Sequence, residues 1–290
     1  MNEYDWDQLV ERIKAGRCTP FLGAGACGKH LPAAAKLAKK WAKKHDYPLA
    51  DDHDLARVAQ FMGVRYDPMR PKDELEKAFA AVRTPDFKAA DEPHALLAEL
   101  QLPVYLTTNY VNFMSKALSA KKKDPQREIC RWNSLLKTRK IDGHGPLFDD
   151  GFEPTPANPV VFHLHGVLGI TESLVLTEDD YLDFLIALTQ DQESPSPQSR
   201  LLPEPIETAV TGSSLLFIGY RLADWDFRVL HRGLVLGREG SLRRLSVTVQ
   251  LPETKPERQE YLDRYFNAMN LRVYWGKAED FVTELRARLP

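Results

Sequence analysis

Two stretches of this sequence place glycines directly after a short apolar run, where a loop can hold a phosphate. Gly23, Gly25 and Gly28 follow the apolar residues 20–22 and satisfy G-x-G-x-x-G, the pattern of loops that hold a dinucleotide pyrophosphate. Glycine lets the backbone approach an anion, and backbone amides can then donate to its oxygens. Three glycines within six residues also make an ordinary turn, so the pattern by itself is a weak signal. Residues 219–224 repeat the theme of strand, glycine and helix start, with the same two interpretations: a phosphate or ribose contact, or a tight turn.

The acidic residue that usually accompanies such a loop is missing from its expected place. In dinucleotide-binding folds an Asp or Glu about 20 residues further on binds the adenosine ribose. Here residues 32–45 are a helical stretch rich in alanine and lysine. Another element therefore has to recognise the rest of a bound dinucleotide.

Polar side chains also follow two other predicted strands. Asn109 comes after the apolar segment 103–107, where it either caps the next helix or orients a water or a ribose hydroxyl. His163 and His165 alternate along the predicted strand 160–165, which places both on one face. Because imidazole titrates near neutral pH, His165 is a candidate general base beside the glycine loop.

The H-x-H spacing of these two histidines also suits a zinc site. A third ligand would have to come from His144, Asp149 or Asp224, and the sequence does not bring them together. The three cysteines, at positions 18, 27 and 130, form no C-x-x-C pair, which fits a reducing cytoplasm and disfavours a cysteine-built zinc module. No evident base accompanies Cys27, so it is interpreted as a small packing residue. We expect no metal.

Regular alternation of strands and helices predicts an α/β fold, a Rossmann-like parallel sheet with helices on both faces plus a helical insertion module. The strands are predicted at 20–22, 103–107, 160–165, 214–218, 245–251 and 271–275, with an irregular segment at 124–159. Ligands of such sheets lie at the carboxyl ends of the strands. The Ser- and Pro-rich residues 191–205 are a candidate gate over the site.

Composition excludes several other classes. Lys and Arg number 39 against 41 for Asp and Glu, so no net field indicates nucleic acid or an anionic membrane as partner. No apolar run approaches 18 residues, and the acidic start of the chain is unlike a signal peptide. We expect a cytoplasmic protein with no direct nucleic-acid or membrane contact.

Taken together, the motifs resemble those of the sirtuin-like family, and most closely its bacterial NAD-consuming branch, found in antiphage defence, which lacks the zinc module. The resemblance rests on F-L-G-A-G-A-C (21–27), T-T-N-Y (107–110), F-H-L-H-G (162–166), L-T-E-D-D-Y (176–181) and L-F-I-G-Y-R-L-A-D-W-D-F (216–227). It implies a catalytic pair, Asn109 beside the nicotinamide ribose and His165 as base. The cofactor-binding residues it implies are Gly23, Ala24, Gly25, Cys27, Thr108, Gly219, Arg221 and Asp224.

Three features depart from that family. The four zinc-binding cysteines of its deacylases are absent. Val111 stands where many members have an Asp near the carboxamide, and Arg221 stands where many have Ser. Both substitutions change predicted contacts to NAD, and Arg221 introduces a guanidinium that can pair with a phosphate.

The resemblance implies a single NAD-binding unit over residues 1–290. Its Rossmann-like core covers about 1–30, 94–170 and 211–290, and its helical insertions cover about 31–93 and 171–210. The implied activity is NAD⁺ glycohydrolysis to nicotinamide and ADP-ribose, gated by homo-oligomerisation, a regulatory protein or a bound nucleotide. The alternatives are a non-catalytic NAD or ADP-ribose sensor, a protein deacylase and a zinc hydrolase.

Overall fold

Seven strands form one sheet in the computed structural model, which describes residues 1–143, 145–149, 151–192, 200–221, 227 and 245–289. The strands are β1 (Cys18–Leu22), β2 (Val104–Thr107), β3 (Gln126–Ile129), β4 (Val160–His163), β5 (Ser214–Ile218), β6 (Ser246–Gln250) and β7 (Leu271–Trp275). Their order is β3-β4-β2-β1-β5-β6-β7, and every neighbouring pair is parallel. The predicted α/β class with a parallel sheet is confirmed.

This order places β1 at the centre, between β2 and β5. The chain builds one half of the sheet with β2, β3 and β4, then crosses back to build the other half from β5. Such a reversal opens a crevice at the carboxyl ends of the central strands, where ligands of open α/β sheets bind. The glycine segment after β1 lies at this crevice.

Helices cover both faces of the sheet. They are α1 (Glu3–Lys14), α2 (Ala34–Lys44), α3 (Leu55–Arg65), α4 (Arg70–Phe79), α5 (Pro93–Glu99), α6 (Phe113–Ala120), α7 (Glu178–Gln192), α8 (Glu204–Gly212), α9 (Pro256–Ala268) and α10 (Ala278–Arg288). Alternate strand residues enter different cores: Phe21 packs with side chains of α7, α8 and α9, whereas Leu22 packs with α1, α5, α6 and α10. A strand buried on both faces reads as a continuous apolar run, which is why these strands were visible in the sequence.

Helices α2, α3 and α4 form a layer with its own core. Trp41, Met62 and Leu75 are almost completely buried there, together with Leu174 and Leu176 from the segment before α7. Asp54 caps α3 by accepting from the backbone amides of residues 56 and 57. The predicted helical stretch between residues 32 and 83 is therefore present as three packed helices.

Two predicted boundaries were wrong. Residues 126–129 were assigned to an irregular segment but form the edge strand β3, whose polar sequence, QREI, carries little apolar pattern. The fourth strand ends at His163 rather than at His165. Apart from residue 227, the predicted helix that begins at Asp224 lies outside the described residues, as do residues 193–199 of the candidate gate. None of the helices in the described ranges is long and apolar enough to cross a bilayer.

Candidate functional site

The glycine segment packs directly against the turn that follows β5. A Cβ atom on Gly23 would lie 2.7 Å from the Gly219 carbonyl oxygen, and one on Gly25 would lie 2.9 Å from the Gly219 Cα. Gly219 has φ +86°, and a Cβ on it would lie 2.1 Å from the Ala26 amide nitrogen. Only glycine allows two backbones to approach this closely. The two glycine motifs of the sequence therefore form one structure.

The amides of Gly23 and Gly25 are used within the protein. Gly23 N donates to the Ile218 carbonyl at 2.9 Å, and Gly25 N donates to the Gly219 carbonyl at 2.9 Å. These two amides therefore hold the loop against β5 and its turn, and the predicted contacts of Gly23 and Gly25 with a cofactor stay predictions. The segment continues as a 3₁₀ helix over Ala24–His30, and Ala24 and Gly25 are exposed to solvent on it.

Asn109 joins the end of β2 to the glycine segment. Its side-chain Nδ2 donates to the Gly23 carbonyl at 2.9 Å, and its own amide donates to Thr107 Oγ1 at 3.0 Å. The residue is 6% exposed. Helix α6 begins only at Phe113, and its N-cap position is held by Asn112, whose side chain makes no capping hydrogen bond. The helix-cap interpretation of Asn109 is therefore wrong, and its amide instead holds the loop.

A hydrogen-bonded group of hydroxyls connects the ends of β1, β2 and β5. Thr108 Oγ1 lies 3.0 Å from Tyr220 Oη, which donates to the Leu22 carbonyl at 3.1 Å. Gln250, at the end of β6, donates from Nε2 to the Tyr220 carbonyl at 2.8 Å. Sequence reasoning missed the role of Tyr220, although its position directly after Gly219 was a usable signal.

His165 lies in the turn beyond β4, buried against α7. Its ring meets Tyr181 and Phe184 edge-on, at centroid distances of 5.3 and 5.2 Å, and it is 4% exposed. The buried Nε2 atom makes no hydrogen bond to any described residue. Burial lowers the pKa of His165 to about 3. The expectation of near-neutral titration is therefore wrong: the imidazole stays neutral at physiological pH, with one ring nitrogen that carries no proton and is able to accept a hydrogen bond.

His163 supports Asn109 from the neighbouring strand. Its Nδ1 donates to the Asn109 carbonyl at 3.1 Å, and burial lowers its pKa to about 4. Since β4 ends at His163, the strand alternation that placed His163 and His165 on one face does not extend to His165. Within the described part of the chain, no group of three or more His, Cys, Asp or Glu side chains is arranged to hold a metal; His144 and Asp224 lie outside it.

Cys27 is a packing residue with a histidine beside it. Cys27 is 2% exposed and packs with Val111 and Phe113. Val111, which stands where many sirtuin-like proteins have an Asp, is therefore buried in an apolar cluster. His94 Nε2 lies 4.0 Å from the Cys27 Sγ, which corrects the view that no base accompanies it, and Glu92 lies 2.7 Å from His94 Nδ1. Burial, and secondarily the Glu92 charge, raises the pKa of the thiol. Cys27 is therefore a neutral thiol.

The remaining predicted contacts, Arg221 and Asp224, follow Gly219 in the sequence. Arg221 is exposed and is the last described residue before a gap, and Asp224 falls within that gap. The structure thus brings together the loop at residues 23–25, Thr108, Asn109 and Gly219. It places His165 at the end of the strand next to β2.

A family model for the SIR2-like domain matches residues 103–274, which is more than half of the chain. The protein belongs to the SIR2-like domain family. The match covers β2 to β7, and therefore includes Asn109, His165 and the Gly219 turn. The first glycine segment lies before the matched range.

Two curated proteins, each named NAD(+) hydrolase ThsA, resemble this SIR2-like chain. The protein from Cytobacillus dafuensis is 24% identical over 241 residues, covering 80% of this chain and 41% of its own length. The protein from Acinetobacter baumannii (strain 532279) is 22% identical over 227 residues, covering 75% and 39%. The chain thus spans about two fifths of the length of these relatives.

Proposed function

We propose that this chain is an NAD⁺ glycohydrolase that releases nicotinamide and ADP-ribose. The observation that carries the proposal is the buried, neutral His165 at the carboxyl edge of the sheet. Its Nε2 atom makes no hydrogen bond to any described residue. An unpaired buried acceptor is unfavourable unless a partner satisfies it. A ribose hydroxyl of bound NAD⁺ would supply the missing donor. The names of the two relatives, both NAD(+) hydrolases, support this substrate.

In the proposed reaction, the bond between nicotinamide N1 and ribose C1′ breaks, and its electron pair leaves with nicotinamide, which becomes neutral. Water then bonds to C1′ and releases its proton to solvent, giving ADP-ribose. Because the pKa of His165 is about 3, its role is to accept a hydrogen bond from the ribose hydroxyl and so favour the cationic sugar. Asn109 holds the loop at Gly23 and orients the ribose or the water.

The proposal extends to regulation, since uncontrolled NAD⁺ hydrolysis is toxic to a cell. We place the activity in the cytoplasm, in a bacterial antiphage effector held inactive by its oligomeric state, by a protein partner or by a bound nucleotide. The cofactor contacts predicted at residues 23–25, 27, 108, 219, 221 and 224 belong to the same proposal. The neutral Cys27 thiol fits a packing role behind the loop rather than chemistry at it.

The test is nicotinamide release from NAD⁺ by the purified chain, followed by chromatography. We expect His165→Gln and Asn109→Ala each to lower turnover by about 10²-fold or more, which is the usual range for a lost acid–base or positioning group. The matched controls are His53→Gln, which replaces an exposed histidine, and Asn112→Ala. Asn112 is at the N-cap position of α6, but its side chain makes no capping hydrogen bond. These controls should leave turnover within about twofold.

Other outcomes would contradict the proposal. Saturable ADP-ribose binding with no release under any assembly condition would favour the sensor. Release that requires an acylated peptide would favour the deacylase. If His53→Gln lowered turnover as much as His165→Gln does, the proposed role of His165 in the reaction would be contradicted.

A further inference from the structure

A cavity lies away from the glycine segments, at the edge of the sheet that ends with β3. It has a volume of about 630 Å³, which is within the range of small-molecule sites. Leu135 and residues 138–142 form one wall, residues 167–170 form the floor, and Arg127 of β3 lines one side. The motifs that carry the NAD proposal do not line it.

Hydrogen bonds within the protein hold both sides of this edge cavity. Arg131 donates to the carbonyls of Leu136 and Arg139 at 2.5 and 2.8 Å, and it is held in turn by Glu128 at 2.9 Å. Glu128 is 2% exposed and also accepts from the Leu147 amide at 2.7 Å. The wall is therefore pre-formed rather than a loose loop.

The floor of the edge cavity is held by hydrogen bonds to α4 and to Tyr110. The Gly169 amide and the Thr171 hydroxyl both donate to Glu76 of α4, at 3.0 and 3.2 Å. The Leu168 amide donates to the Tyr110 carbonyl at 3.0 Å. A site built on fixed walls loses little conformational entropy when a ligand binds.

The lining of the edge cavity combines positive charge with apolar surface. Arg127 is paired with Asp142, through Nε at 2.7 Å and through a second contact. Arg139 and Lys140 are exposed, and neither forms an ion pair with a described residue. Two cations thus remain for a ligand, beside the exposed side chain of Leu135 and the half-buried side chains of Leu168 and Ile170.

We propose that the edge cavity binds a small organic phosphate that carries a flat apolar ring, of about the size of a nucleoside monophosphate. The phosphate pairs with Arg139 and Lys140, because guanidinium and ammonium groups are the usual protein donors to phosphate. The ring lies against the apolar floor. This site is separate from the proposed NAD site, and its existence does not depend on NAD⁺ hydrolysis.

The test is fluorescence titration of the full chain with N-methylanthraniloyl-AMP, in the presence of saturating ADP-ribose to occupy the proposed NAD site. We expect saturable binding that Arg139→Gln/Lys140→Gln weakens at least tenfold. The matched control is Lys39→Gln/Lys43→Gln on α2, which removes two exposed charges elsewhere and should leave the affinity unchanged. N-methylanthraniloyl-adenosine, which lacks the phosphate, should bind at least tenfold more weakly.

Two outcomes would overturn the proposal: binding that ADP-ribose abolishes, or binding that is the same in the Arg139/Lys140 variant and in the wild-type chain. If the chain releases no nicotinamide and binds no ADP-ribose, the NAD proposal fails, while the comparison between the two double variants still reports on the edge cavity. Because all four substituted side chains are exposed, loss of folding does not confuse the result, and circular dichroism checks this directly.

Discussion

At the scale of single residues, the most consequential property is that His165 is neutral. A general base with an ordinary histidine pKa loses activity as the pH falls below about 6.5, because the protonated ring cannot accept a hydrogen bond. With a pKa of about 3, His165 keeps its accepting form well below that pH. The activity of the proposed hydrolase is therefore expected to tolerate mild acid.

We predict that kcat/KM for NAD⁺ is constant within about twofold from pH 7.5 to pH 5. The measurement is initial-rate nicotinamide release across this range, with circular dichroism at each pH to confirm folding. A tenfold fall between pH 6.5 and pH 5 in folded protein would show that a group with an ordinary histidine pKa limits the reaction instead.

A second residue-scale prediction concerns Gly219. Gly219→Ala should destabilise the fold by about 3 kcal/mol or more, because its methyl group would overlap the Ala26 amide at 2.1 Å and φ is also positive. Gly16→Ala is the matched control: φ is +68°, but the nearest atom would be 3.6 Å away. The control should lose only about 1 kcal/mol, from backbone strain alone. Urea unfolding measures both, and equal losses would contradict the close-packing account.

At the scale of elements, helix α7 connects His165 to the helical layer. Tyr181 and Phe184 on α7 contact the His165 ring, while Asp180 in its first turn pairs with Lys72 of α4 at 2.8 Å. Asp180 also accepts from the amides of residues 176 and 177, and Gln60 of α3 exchanges two hydrogen bonds with Asp179. The position of the α7 side chains that pack against His165 therefore depends on residues that are far from them in the sequence.

The Lys72–Asp180 pair gives an asymmetric prediction. Its side chains are 7% and 12% exposed, so Asp180→Asn leaves a buried ammonium unpaired and should cost about 3–5 kcal/mol. Lys72→Met should cost less, about 1–2 kcal/mol, because two backbone amides still bind the Asp180 carboxylate. Adding Lys72→Met to Asp180→Asn should recover stability.

The control for that cycle is Lys121→Met, which breaks the pair of Lys121 with Glu99. Both of those side chains are about one-third exposed, so the loss should stay below about 1 kcal/mol. Urea unfolding of the four variants measures the cycle. Additive losses in the double variant would mean that Lys72 and Asp180 do not interact.

At the scale of the whole molecule, buried neutral histidines make the fold sensitive to acid. Burial lowers the pKa of His163 to about 4 and that of His165 to about 3, whereas both are near 6.5 in the unfolded chain. Above pH 6.5 the ring is neutral in both states, so the histidines add no pH dependence. Below it the unfolded chain binds protons that the folded protein cannot, so stability falls until the folded pKa is reached.

We predict a loss of about 1.4 kcal/mol per pH unit from each of these histidines between pH 6 and pH 4. The free energy of unfolding in urea, measured across this range, should fall less steeply in His163→Gln/His165→Gln. The exposed His53→Gln variant should keep the wild-type slope. An unchanged slope in the double variant would show that both imidazoles are protonated in the folded state.

Local patterns were sufficient for much of this architecture. The continuous apolar runs of the central strands and the helical spacing between residues 32 and 83 predicted the parallel sheet and the helical layer, because burial on both faces leaves a direct trace in sequence. Among the described strands, only β3 was not predicted from the sequence, because an edge strand needs few apolar residues.

The sequence by itself also supplied the candidate site residues, because the glycines, Asn109 and His165 lie at or just after the ends of predicted strands. What only the tertiary structure decided is how they are used. The glycine amides bond to β5 and its turn, Asn109 holds a loop instead of capping a helix, and His165 is buried until its pKa is about 3. Hydrogen-bond partners and desolvation depend on residues distant along the chain, and no local pattern encodes them.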